Sequence, residues 1–112
     1  MSFPGMSFPS YADERGVLVP IELAEVPFVT RRVFVVTGPP EGAVRGGHEV
    51  TCREQVVLVS GRAELRIGDR VVVLDRPGAA VLIEVGETMS YELGPGGSTV
   101  VVLADAPWEL RS

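Results

Sequence analysis

Glycine and proline punctuate this chain so densely that almost no stretch is left in which a long helix could run. Its 112 residues include 13 glycines and 9 prolines, and the text between them is short and rich in β-branched residues. Residues 31–36 (RRVFVV), 55–60 (QVVLVS) and 99–103 (TVVVL) read as strands, the second apolar throughout, as in a strand buried on both faces. Residues 17–23 and 81–85 read as further strands. Residues 63–67 and 70–74 flank Gly68-Asp69, a two-residue hairpin signal. After Gly86, Met89, Tyr91 and Leu93 fall on one parity among polar neighbours. Residues 38–42 (GPPEG) must form a loop, because two successive prolines cannot donate to a ladder. Short strands about 8–12 residues apart, joined by such turns, are the mark of a sandwich or barrel. The expected class is all-β.

One core fits this length, over residues 11–112. Residues 1–10 (MSFPGMSFPS) duplicate SFP around a glycine and read as a flexible arm, or as one lying across a partner subunit. A formal charge of −5 with no basic cluster beyond Arg31-Arg32 argues against nucleic acid or a membrane surface as partner. All ten basic residues are arginine, which excludes Schiff-base chemistry on a lysine. The single cysteine, Cys52, cannot close an internal disulfide, so the expected compartment is the cytoplasm.

Chemistry concentrates in residues 42–61, GAVRGGHEVTCREQVVLVSG, which hold the only histidine and the only cysteine. On a regular strand His48, Val50, Cys52 and Glu54 share a face with Val56 and Leu58, the side expected to meet the core. His48 and Glu54 would then point into one interior. An imidazole beside a carboxyl group is a kit for proton transfer. The plain alternative is a histidine bonded to a backbone carbonyl and a glutamate at the rim.

The spacing Gly42-x5-His48-x-Val50-x3-Glu54-x6-Gly61 resembles the first cupin motif, with Val50 where a second histidine stands. Gly78-x5-Glu84-x-Gly86-x2-Met89 resembles the second motif, with Met89 in place of the metal-binding histidine. Two of the four ligands are thus replaced, and zinc, iron or manganese sites need three or four. The resemblance therefore implies a single small, jelly-roll-like cupin β-barrel with no metal and no other cofactor. Asp13-Glu14-Arg15-Gly16, Glu22, Pro27-Phe28, residues 31–34, Arg45-Gly46-Gly47-His48, Gln55, Ser60-Gly61 and Leu74-Asp75 narrow it to the WxcM-like sugar-nucleotide ketoisomerases.

That resemblance implies a dimeric barrel that isomerises a dTDP-linked 4-keto-6-deoxy sugar, with a small-molecule substrate and a homodimer partner. Its expected catalytic residues are His48 and Glu54. Arg45 and Arg32 would bind substrate, and Val50, Met89 and Tyr91 would line an apolar pocket. The family runs Arg-Gly-x-His-Ala-His-Lys where this chain has residues 45–51 as RGGHEVT, so the second histidine and the lysine are gone. Such pocket changes also fit a cyclase or isomerase repurposed for a non-sugar natural-product (polyketide, for example) intermediate, or a non-catalytic ligand-binding barrel. Trp108 is expected to close the barrel or pack at a dimer contact.

Overall fold

The computed structural model describes residues 7–107. Among them are β1 (Tyr11–Asp13), β2 (Gly16–Leu18), a 3-10 turn (Leu23–Glu25), β3 (Arg32–Thr37), β4 (Ala43–Glu49), β5 (Glu54–Ser60), β6 (Ala63–Ile67), β7 (Arg70–Leu74), β8 (Ala80–Ile83), β9 (Thr88–Leu93) and β10 (Thr99–Ala104). The chain is all-β, as the turn spacing predicts. Two antiparallel four-stranded sheets, ordered β3-β10-β5-β8 and β4-β9-β6-β7, pack face to face as a jelly roll. We call them the first and second sheet. A separate hairpin pairs β1 with β2 around Glu14-Arg15.

Alternation fills the interior. Val36, Val56, Leu58, Val81, Ile83, Val100 and Val102 from the first sheet meet Leu65, Ile67, Val72, Leu74, Met89, Tyr91 and Leu93 from the second. Leu58, Leu65, Ile83 and Leu93 are fully buried. The expected apolar pocket is thus largely filled: Val50, Met89 and Tyr91 keep only 3%, 5% and 9% of their surface exposed. β5 is buried on both faces because its outer side is covered too. There Val57, Ala80 and Leu103 pack under Phe8 and Val26, with Val19, Ile21 and Phe28 beside them.

Three expectations change. The strand expected over 17–23 stops at Leu18, and Pro20 lies in the irregular segment that follows, where a missing N–H costs no ladder bond. That segment becomes a strap laid over the outer face of the first sheet. The strand expected over 81–85 stops at Ile83, leaving Val85 exposed. The flexible arm over 1–10 does not extend to its described end. Phe8 is buried, donates its N–H to the Gly78 carbonyl at 2.7 Å, and Ser7 bridges Ala79. Two aromatic-rich SFP copies hid this, because only burial distinguishes an anchor from a loose end. Trp108 lies outside the described residues.

Candidate functional site

The continuous strand expected from His48 to Leu58 is two strands in different sheets. β4 ends at Glu49 in the second sheet and β5 begins at Glu54 in the first, with a corner at 50–53 between them. Val50 anchors that corner: its N–H donates to the Glu87 carbonyl and its carbonyl accepts from Gly86, both at 2.9 Å. His48 and Glu54 nonetheless converge, for a different reason. Each reaches the interior side from its own sheet, at the same end of the jelly roll.

Register fixes the second-sheet side. Residues opposite one another in an antiparallel ladder project to the same face. Arg45 pairs with Tyr91 and His48 with Met89, and both partners belong to the core. Arg45 and His48 are three residues apart, which on a regular strand would send them to opposite faces. The ladder shifts between Gly46 and His48, where Gly47 is the extra residue and both glycines have φ near +90° (91° and 89°). This bulge restores the phase, so both side chains face inward. Sequence parity alone could not reveal that; the Gly-Gly pair was the signal.

On the first sheet, Arg32 pairs with Ala104 and Glu54 with both Ala104 and Ile83. Both side chains therefore share the face of Phe34 and Val56. Of the Arg31-Arg32 pair, Arg31 is exposed and Arg32 half-buried, its guanidinium 5.3 Å from the Phe34 ring centre. Arg32 also donates to the Cys52 sulfur at 3.7 Å. The fold thus brings Arg32, Cys52, His48 and Glu54 within interaction range at one end of the jelly roll, which we call the mouth, with Arg45 and Tyr91 beside them. His48 and Arg45 are exposed, Arg32 and Glu54 are half-buried, and Val50, Met89 and Tyr91 belong to the buried core.

Burial pushes the Glu54 carboxyl above the usual range, with the nearby Arg32 and His48 charges pulling the other way. Tyr91 is raised by burial as well, opposed by a hydrogen bond from Arg45. Cys52 is raised by burial and by the Glu54 charge, so it is a poor nucleophile and packs as a small hydrophobe. No group of three His, Cys, Asp or Glu side chains among the described residues is disposed to hold a metal. A hollow of about 300 Å³ lies elsewhere, along the β1–β2 hairpin. Its charged residues are Asp13 and Arg15, already paired to each other, so it offers no chemistry.

The Glu54 shift has a testable sign. Folded Glu54 holds its proton more tightly than unfolded Glu54, so its stabilising contribution is present at low pH and lost as pH rises through the folded value. Above that value the ionised carboxylate is a net burden. Glu54→Gln is expected to raise the melting temperature at pH 7–8, with the gain vanishing by about pH 4. Melting curves across that range check it; an equal gain at every pH would contradict it.

The sequence model of the WxcM-like, C-terminal (FdtA) family matches residues 2–111. Solved structures share the fold. A 3,4-ketoisomerase from Helicobacter canadensis is 22% identical with a TM-score of 0.77, the match covering 93% of this chain and 83% of that one. QdtA, a sugar 3,4-ketoisomerase from Thermoanaerobacterium thermosaccharolyticum solved with TDP, is 23% identical with a TM-score of 0.78, covering 93% and 80%. WlaRB, a TDP-quinovose 3,4-ketoisomerase from Campylobacter jejuni, is 25% identical with a TM-score of 0.71, covering 93% and 85%. No curated protein sequence matches this chain. No helix among the described residues is long and apolar enough to cross a membrane.

Proposed function

Because this chain belongs to the WxcM-like, C-terminal family, we propose that it isomerises a dTDP-linked 4-keto-6-deoxy sugar by acid–base proton transfer in deoxysugar or natural-product biosynthesis. The observation that carries this reading is the mouth. His48 and Arg45 face inward from one sheet, and Glu54 and Arg32 from the other. Moving a carbonyl from C4 to C3 requires removing the proton on C3, passing through an enediol, and delivering a proton to C4. His48 is the base for the first step. If the proton stays on one face of the ring, the same imidazole returns it.

Glu54 supplies the function that the second histidine serves in the family pattern. Burial raises the proton affinity of this carboxyl, which favours its acting as a donor to the carbonyl oxygen. Arg45 donates to the Tyr91 hydroxyl, leaving the phenolic proton available to a substrate oxygen. Arg32 and Arg45 provide positive charge for the diphosphate or the developing enediolate. Val50, Met89 and Tyr91 give the floor an apolar surface suited to a 6-deoxy carbon.

A homodimer belongs to this proposal. All six strand residues of the β1–β2 hairpin are exposed, including Tyr11, Val17 and Leu18, and an isolated two-stranded hairpin is marginal in water. Val33 and Val35 are also more than half exposed on the outer side of edge strand β3. A cytoplasmic enzyme on a soluble sugar nucleotide is the corresponding setting.

Titration calorimetry with thymidine diphosphate tests the reading. Wild type is expected to bind with a dissociation constant of about micromolar order, and Arg45→Ala to lose most of that affinity. No heat with either protein would overturn the nucleotide reading. The replacement of the second histidine by Val50 would then favour an apolar non-sugar intermediate.

A further inference from the structure

The irregular segments at the mouth end of the jelly roll meet on one side chain, that of Arg53. It lies between Cys52 and Glu54 but points to the opposite, outer face. Its Nε donates to Glu84 Oε1 at 3.1 Å, and its NH1 donates to the Pro27 carbonyl at 3.1 Å. The guanidinium carbon sits 5.4 Å from the centre of the Phe28 ring. The Arg53 backbone donates to Asp105 Oδ1 at 3.0 Å and accepts from the Asp105 N–H at 3.1 Å. One residue thus ties the strap to the end of β8, while its backbone holds the segment after β10.

Glu84 is fixed in turn. Its N–H donates to Glu87 Oε1 at 2.8 Å, and Glu87 pairs with Arg70 of the second sheet at 3.3 Å. The clamp is therefore referenced to both sheets. Its far side is what matters for chemistry. From Phe28 the chain runs only four residues to Arg32, with Arg31 donating to the Ala104 carbonyl at 2.8 Å on the way. Arg32 then enters the mouth beside Cys52 and Glu54. A planar fork that serves a carboxylate, a carbonyl and an aromatic face together is an arginine task; lysine cannot do all three.

We propose that Arg53 is a positioning residue: by clamping the strap at Pro27 and Phe28 to Glu84, it fixes where Arg32 enters the mouth. The proposal deepens the sugar-nucleotide reading, on which the role of Arg32 toward a ligand rests. The clamp adds little to global stability, because the Arg53–Glu84 pair is partly exposed (31% and 53%) and solvent screens it. Its effect is local.

Cys52 provides a readout independent of any ligand. It is the chain's only cysteine, 7% exposed, and its sulfur accepts a hydrogen bond from Arg32. Thiol labelling of the folded full chain is expected to be slow in wild type. Arg53→Met should accelerate it by about tenfold or more, as local opening does, with Arg53→Lys in between. Val72→Ala, a core change in the second sheet, gives the control for lost stability without disturbing the strap. In an Arg32→Ala background labelling should already be fast, and Arg53→Met should add little, as expected when one residue acts through the other. Thymidine diphosphate affinity should fall about 5- to 20-fold in Arg53→Met and not fall further in the double variant. If Arg53→Met labels no faster than Val72→Ala at equal loss of melting temperature, or if its effect is undiminished without Arg32, the proposal is overturned. If labelling behaves as expected but wild type binds no thymidine diphosphate, the positioning role stands and the nucleotide reading falls.

Discussion

His48→Ala is expected to slow isomerisation of a dTDP-linked 4-keto-6-deoxy sugar by about 10²–10⁴-fold, the range for loss of one acid–base group. Stability should stay within about 0.5 kcal/mol, because His48 is exposed at the mouth and its removal opens no cavity. Thymidine diphosphate affinity should change little, since the charge that attracts a diphosphate comes from Arg45 and Arg32. The loss belongs in kcat rather than KM, which separates a group acting in the transition state from one that only binds. In a chain with a single histidine, no second imidazole can take over. Turnover measured on the variant checks this directly. Activity within threefold of wild type would remove His48 from the mechanism.

Glu54→Gln makes the complementary case. It removes the carboxyl proton but keeps the shape and the hydrogen-bonding ends. If Glu54 serves as acid, turnover falls while the melting temperature at neutral pH rises. A gain in stability coupled to a loss of activity is the signature of a group held at the site against its own burial cost.

The strands that alternate or run apolar throughout were legible in the sequence: β5, β6, β7 and β10 all lie within two residues of their predicted bounds, and β9 carries the expected parity of Met89, Tyr91 and Leu93. Their burial dictates their pattern. β1 was not legible, because every residue of the hairpin is exposed and no periodicity marks it. β4 was also missed as a full strand: its run Ala43–Glu49 carries two glycines and faces solvent along most of its length. The co-localisation of His48 and Glu54 was anticipated, but through a continuous strand that does not exist. Even parity across 48–58 gave a correct facing for both residues because the corner at 50–53 happens to preserve it. Arg53 escaped notice because nothing local distinguishes one arginine among ten from a clamp; its three partners are 26, 31 and 52 residues away.

The bulge that aims the site makes the sharpest structural prediction. Gly46→Val is expected to cost about 2–5 kcal/mol and to reduce activity nearly as far as His48→Ala. Two causes add. A β-branched residue at φ +91° is strained wherever it sits, and a Cβ there would meet the Met89 carbonyl oxygen at 2.9 Å and the Ser90 Cα at 3.1 Å. Those atoms are backbone of a central strand of the sheet and cannot swing aside. The ladder can relieve the clash only by changing register, and a one-residue slip turns either Arg45 or His48 outward. Gly47 differs: its φ is +89° but a Cβ meets nothing within 4 Å, so Gly47→Ala should cost only about 1 kcal/mol. Deleting Gly47 should be milder than Gly46→Val, although it removes a residue. The shortened strand still pairs Gly46 with Ser90 and His48 with Met89, so both side chains keep their facing and the extra strained residue is gone. Urea denaturation and turnover on the three variants rank them. If Gly46→Val is tolerated and the deletion is not, the inward aim of Arg45 and His48 depends on something other than the phase this bulge restores.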